Sequence, residues 1–409
     1  MAIPTLILVF MLMLLVAVLV QPLAHRLHLP FSAVLVATGF GISELLTKGL
    51  DMDLGLRWHH FHDLVLFVFL PVLVFESALK LDLRLLWKNL AAILFLAIPM
   101  MLFSAAMTAV LVYFGIGHPG FPWIAALLTG TLLAATDPVA VVALFEKMQA
   151  PARLNILVDG ESLFNDATVI VLFSLLLTVA LGQMSFSSMQ ASQQFLFVFF
   201  GGAGVGLLVG ATTLLLIRQL RGIALHGVIS LITAYGAFLI AEYFLHVSGV
   251  MAVLTAGLLV GHSSRLHADE NEQYFMKQLW AFNSYIANAM IFLLVGMTVT
   301  LAMFSSHWLA ILIGIAAVLT ARAIGIFTTV PLLGRLPGIE PIDRRYQTIM
   351  YWGGLRGAIS LALALSIPTD LEYWYTIQSV AYGVVLFTLF VQAPTMPLLM
   401  NKFLPDERT

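Results

Sequence analysis

The run Asp159-Gly160-Glu161-Ser162-Leu163-Phe164-Asn165-Asp166 sets three acids, a hydroxyl and an amide into an otherwise apolar stretch. On a helix, Asp159, Ser162 and Asp166 stand at i, i+3 and i+7, on one face. Glu161 and Asn165, at i and i+4, occupy the adjoining face. Oxygen groups along one stripe suit a hard cation such as Na+. Thr136-Asp137-Pro138 adds a second acid beside a proline. Proline lacks an N–H and disturbs the preceding turn. Carbonyls freed there can coordinate a cation where the break lines a protein cavity. Asp137 is thus placed to face Asp166 across two helices, and it can also cap the half-helix that Pro138 begins. Gly353-Gly354-Leu355-Arg356-Gly357 offers a second break, its glycines permitting unwinding and close approach. Arg356 needs a carboxylate or backbone carbonyls at such depth. Glu161 is the expected partner, leaving Asp137 and Asp166 for the ion. Glu76, near the end of an apolar run, is expected in a vestibule on the ion path, with Asp159 drawing cations at the mouth.

These residues sit in an unusual chain. Of 409 residues, 61% are hydrophobic and 10% charged, and the net charge is -2. Soluble domains hold about 25% charged residues. The composition excludes an ordinary cytosolic enzyme, a disordered chain and a nucleic-acid binder. The absence of cysteine excludes a disulfide scaffold and a thiol nucleophile. A membrane helix needs about 20 apolar residues, and cutting at charged clusters gives thirteen candidates: 3–20, 31–47, 64–80, 89–115, 122–146, 154–182, 195–217, 227–245, 248–263, 278–301, 307–334, 346–368 and 374–401. The first lacks the basic start and cleavage site of a signal peptide, so it is read as retained. Fifteen of the 19 Lys and Arg fall in loops after odd-numbered segments. The positive-inside rule makes those loops cytoplasmic, with the N-terminus outside and the C-terminus inside. Segments five and twelve are both interrupted and cross in opposite directions. Paired broken helices in opposed halves point to an inverted-repeat transporter with its site near the midplane.

FLPVLVFESALKLD at 69–82, ATDPVAVVALF at 135–145, DGESLFNDATVIVLF at 159–173, SGVMAVLTAGLLVG at 248–261 and GGLRGAISLALAL at 353–365 occur in this order. In these segments the chain resembles the NhaP-type sodium/proton antiporters, relatives of the animal sodium/proton exchangers. The resemblance implies an all-α polytopic membrane protein, a homodimer in the cell (inner) membrane, with a core domain (about 89–182 and 307–401) and a dimerisation domain (about 1–88 and 195–301). It implies that crossed, broken helices five and twelve lie in the core. It assigns cation and proton binding to Asp166 and Asp137, with Ser162, Thr136 and Asn165, and a structural ion pair to Glu161 and Arg356. Na+ or Li+ and H+ are then substrates, with no cofactor. The neutral Asn165 beside Asp166 implies one cation for one proton. K+/H+ exchange is the nearest alternative and a cation channel the next. A channel favours rings of identical groups, which one dissimilar acidic cluster does not supply. No G-x-S-x-G elbow supports a hydrolase.

Other features carry packing expectations. Gly202, Gly206 and Gly210 form a small-residue stripe for helix contact. Arg322 is expected to be satisfied by helix carbonyls. His59-His60-Phe61-His62-Asp63 reads as a solvated external loop.

Overall fold

The computed structural model describes residues 3–27, 29–45, 64–118, 120–183, 188–220, 222–335 and 339–404. The histidine-rich run 59–63 lies outside them. Apart from turns and short connections, these residues are helical. The helices are α1 (Ile3–Leu27), α2 (Phe31–Glu44), α3 (Leu70–Lys80), α4 (Leu83–Ile116), α5 (Trp123–Leu132), α6 (Val139–Met148), α7 (Ala152–Ala180), α8 (Ser188–Gln219), α9 (Ile223–Phe244), α10 (Gly249–His267), α11 (Glu270–Thr298), α12 (Leu301–Leu333), α13 (Arg344–Trp352), α14 (Ala358–Leu365) and α15 (Trp374–Phe403). Among the described residues, nine helices are long and apolar enough to cross a bilayer. Within the described residues, each sequence-expected segment centres on one helix, on the interrupted pairs α5–α6 and α13–α14 or, for 64–80, on the π-helical turn Leu64–Phe69 and α3.

Apolar side chains face outward as well as inward. Leu8, Leu15 and Leu19 of α1, and Phe197 and Leu208 of α8, are among many large apolar residues left exposed. So many exposed apolar side chains suit hydrocarbon rather than water. Four wide, π-helical turns lie next to or contain a proline: Leu64–Phe69 before Pro71, Leu96–Met100 around Pro99, Gly325–Thr329 before Pro331, and Thr388–Gln392 before Pro394. The missing N–H and the ring's clash with the preceding turn widen the helix there.

Two groups of helices emerge from the packing. In one, α2 lies on α11, α3 on α10, and α8 on α10. The glycine stripe of α8 makes that last contact: Gly202 meets Ser248 and Met251, Gly206 meets Ala252 and Thr255, and Gly210 meets Ala256 and Leu259. In the other, α4 packs on α5, α7 and α12, while α15 packs on α12 and α14. The groups meet where α7 touches α3, α8 and α10, and where α11 touches α14. Polar clasps at the basic ends hold the elements in register. Arg265 of α10 donates to the carbonyls of Leu79 and Leu81 at the end of α3. Arg153 of α7 donates to Asn89 of α4 and to the carbonyls of Glu340 and Pro341.

Candidate cation site

The two breaks touch. Residues 133–138 separate α5 from α6, residues 353–357 separate α13 from α14, and the Asp137 N–H donates to the Leu355 carbonyl at 2.9 Å. The Asp137 carboxylate accepts from the Val139 N–H at 3.0 Å, with the Ala358 amide also against it. It therefore caps two half-helices at once, an anion at two positive helix ends. Gly357 makes this possible, because a Cβ there would overlap the Asp137 carboxylate. Thr388 closes the second break, taking the Arg356 N–H at 3.2 Å and donating to nearby carbonyls.

α7 runs past the crossing. Its residues from Ile156 to Val171 are buried, including every acid of the motif. Ser162 and Asp166 line a cavity of about 50 Å3 together with Thr136, Asp137 and Ser360. Ser77 of α3 and Asn288 of α11 also line it. That volume holds a small cation with a few waters. Thr136 and Ser162 are tied together, with the Ser162 hydroxyl donating to the Thr136 carbonyl and standing 3.3 Å from its hydroxyl. Asn165 is not in the cavity wall. Its amide donates to the Ala134 carbonyl at 3.0 Å and the Thr136 hydroxyl at 3.3 Å, holding the unwound strand in place. The Oδ1 atoms of Asn165 and Asp166 are both buried and meet no donor among the described residues; of the two residues, Asp166 lines the cavity. An unsatisfied buried oxygen costs about 1–3 kcal/mol, more when charged, and such a group points to an absent ligand.

A larger cavity, about 440 Å3, lies further along the same two helices. Glu76 and Lys80 of α3, Asn155 and Asp159 of α7, Arg265 of α10 and Lys277 of α11 are in its wall. Glu76 pairs with Lys80. The stripe that put Asp159 with Ser162 and Asp166 is thus divided: Asp159 faces the vestibule and the other two face the small cavity.

The expected ion pair is different. Glu161 binds Arg322 of α12, at 2.8 Å from Nη1 and 3.4 Å from Nη2. No hydrogen bond or ion pair joins Glu161 to Arg356 among the described residues. Arg322 also donates to the Met350 carbonyl, from Nη2 at 2.9 Å and Nε at 3.2 Å. The physical reason is access. Gly354 leaves room over which the Arg322 guanidinium lies, since a Cβ there would strike it. Arg322 so reaches both a carboxylate and the carbonyl end of α13. Arg356 is buried in the unwound strand, and its Nε and Nη1 meet no acceptor among the described residues. Two functional features were missed by sequence reasoning. The sequence points to helix carbonyls for Arg322, a role the Met350 carbonyl fills, but not to its pairing with Glu161. Ser360 stands three residues after Gly357, one helical turn from the break, which was the available signal.

A family described as "Sodium/hydrogen exchanger, transmembrane" matches residues 11–402. The Na(+)/H(+) antiporter ApNhaP of Aphanothece halophytica is 34% identical over 392 residues, covering 95% of this chain and 72% of the relative. The low-affinity Na(+)/H(+) antiporter NhaS1 of Synechocystis is 33% identical over 382 residues, covering 91% of this chain and 69% of the relative. Among solved structures, the sodium proton antiporter MjNhaP1 from Methanocaldococcus jannaschii superposes with a TM-score of 0.84 at 21% identity, covering 99% of this chain and 100% of that one. That similarity speaks to the fold.

Proposed function

Since the chain belongs to the sodium/hydrogen exchanger family, we propose that it carries Na+ or Li+ against H+ across the cell membrane, one for one, through the cavity at Asp166. Na+ and H+ enter as substrates. One observation carries the reading: a buried carboxylate oxygen without a donor, at a largely apolar cavity whose few polar groups include the Thr136, Ser162 and Ser360 hydroxyls and the capped Asp137. A proton on that oxygen and a metal ion held by it exclude each other, so one seat couples the two fluxes. Asp137 supports the seat by fixing both half-helices. Thr136 and Ser162 supply oxygens, and Asn165, being neutral, leaves one exchanging charge.

Transport needs one further rule. Moving an ionised group through the bilayer centre costs about 2.5–3.5 kcal/mol on insertion scales. A core with an empty, charged Asp166 crosses poorly, whereas a core neutralised by Na+ or H+ crosses readily. The helices α4–α7 and α12–α15 form the moving core and the α1–α3 and α8–α11 group the fixed frame, in a homodimer of thirteen-span protomers with the N-terminus outside. The wide vestibule at Glu76 and Asp159 corresponds to the inward-facing state. The test is proton flux in proteoliposomes with Na+, Li+ or K+ added in turn, with and without a clamped potential. Na+-dependent flux indifferent to the clamp is expected, and Asp166→Asn should abolish it. Undiminished flux in that variant would overturn the assignment, and flux that follows the clamp would overturn the one-for-one count.

A further inference from the structure

We propose that Ser360 is an oxygen ligand of the transported cation, contributed by the second interrupted helix. The proposal rests on the reading of the small cavity as the exchange site. Ser360 is fully buried, in the first turn of α14. Its Oγ has no hydrogen-bond partner among the described residues. Serines inside helices ordinarily donate back to a carbonyl three or four residues earlier, as Ser174 and Ser230 do here. Ser360 does not, and it lines the same cavity as the unpartnered Asp166 oxygen. A hydroxyl held out of its local bond beside a cavity costs about 1–3 kcal/mol unless something accepts it. A hard cation offers that compensation to a lone pair, and oxygen is the ligand such ions take.

The hydroxyls expected to bind are less available. Ser162 and Thr136 are spent partly on one another and on Asn165. Ser360 therefore changes the character of the seat. Asp166, Ser162 and Thr136 come from the first half of the chain, while Ser360 comes from the second. An ion bound to both halves bridges the crossing of the two breaks, adding to the Asp137–Leu355 backbone bond. Binding would then tighten the core as a unit before it moves.

The experiment measures Na+-driven proton flux in proteoliposomes for Ser360→Ala, Ser360→Cys and Asp166→Asn, with melting temperatures in detergent. Loss of one ligand to a charged ion corresponds to roughly a tenfold change in affinity. Ser360→Ala should raise the apparent KM for Na+ by about that factor, with the maximal rate changing far less. Cysteine keeps the volume but replaces a hard oxygen with a soft sulfur. The chain has no other cysteine to confuse the result. Ser360→Cys should raise KM as alanine does. A wild-type KM in Ser360→Ala overturns the proposal. So does a wild-type KM in Ser360→Cys alone, which would mark a space-filling role. If Asp166→Asn still exchanges, the cavity reading itself has failed, whereas a dead Asp166→Asn with an unaltered Ser360→Ala sinks the ligand role alone.

Discussion

Glu161 and Asp166 lie five residues apart on one buried helix, yet their surroundings are opposite. Glu161 has both oxygens on the Arg322 guanidinium, which also satisfies the Met350 carbonyl. Asp166 has a carboxylate oxygen without a donor, and the charged group it faces across the cavity is another acid, Asp137. A charge with a protein partner is anchored, because removing it strands the partner. A charge without one must take its counter-ion from outside. The difference separates the acid that holds the core together from the acid that turns over, and it arises from a step of roughly 140° around the helix rather than from residue type.

The comparison breaks if the two acids respond alike to neutralisation. Asp166→Asn removes an uncompensated charge, so exchange should vanish while the melting temperature in detergent holds or rises. Glu161→Gln strands Arg322 next to Arg356. Breaking a buried pair by removing one partner costs about 3–5 kcal/mol, so its melting temperature should fall sharply, with any surviving exchange keeping a near-normal KM for Na+. A stable Glu161→Gln protein that loses Na+ affinity would move Glu161 into the ion site.

Partner choice sharpens the comparison further, with a smaller effect. Double-mutant cycles isolate coupling between contacting groups. The Glu161→Gln and Arg322→Met pair should show coupling of about 1–3 kcal/mol, and the Glu161→Gln and Arg356→Met pair under about 1 kcal/mol. The reverse order would restore the pairing expected from sequence.

That pairing shows where sequence reading stops. The segments were legible because about 20 apolar residues between charged clusters is a local property, and the breaks because Pro138 and the glycines around Arg356 are local too. The stripe of Ser162 and Asp166 followed from helical spacing. Which arginine meets Glu161 is not local: Arg322 and Arg356 are both intramembrane and both far away in the chain. The deciding feature is the missing side chain at Gly354, which admits Arg322. Ser360 escaped for a related reason. Its type and position suggest ordinary back-bonding, and only the packed structure leaves its hydroxyl unpartnered at the cavity. The π-helical turns were equally hidden, since proline marks a disturbed turn but does not say whether it widens or kinks.

A third acid, outside the membrane helices, calibrates the other two. Asp82 caps α4, accepting from the Arg84 N–H at 2.8 Å and the Leu85 N–H at 3.1 Å. The Leu85 amide, with Arg84's amide and the nearby Arg265 and Arg84 charges, holds this carboxyl below the usual aspartate value despite slight burial. A folded-state value below the unfolded one means the contribution is complete above the unfolded value and fades as pH falls through the folded one. Acidification below about pH 4 should therefore remove the Asp82 contribution, and Asp82→Asn, which still caps, should flatten that part of the melting-temperature profile. Asp82→Ala should cost about 1 kcal/mol at neutral pH and leave the KM for Na+ unchanged. Here a carboxylate is held by two backbone donors in water, so its loss is small and its proton uptake carries no cation with it. Were Asp82→Ala to shift KM as strongly as Ser360→Ala, the vestibule rim would belong to the binding site, and the contrast between held and exchanging acids would need a third category.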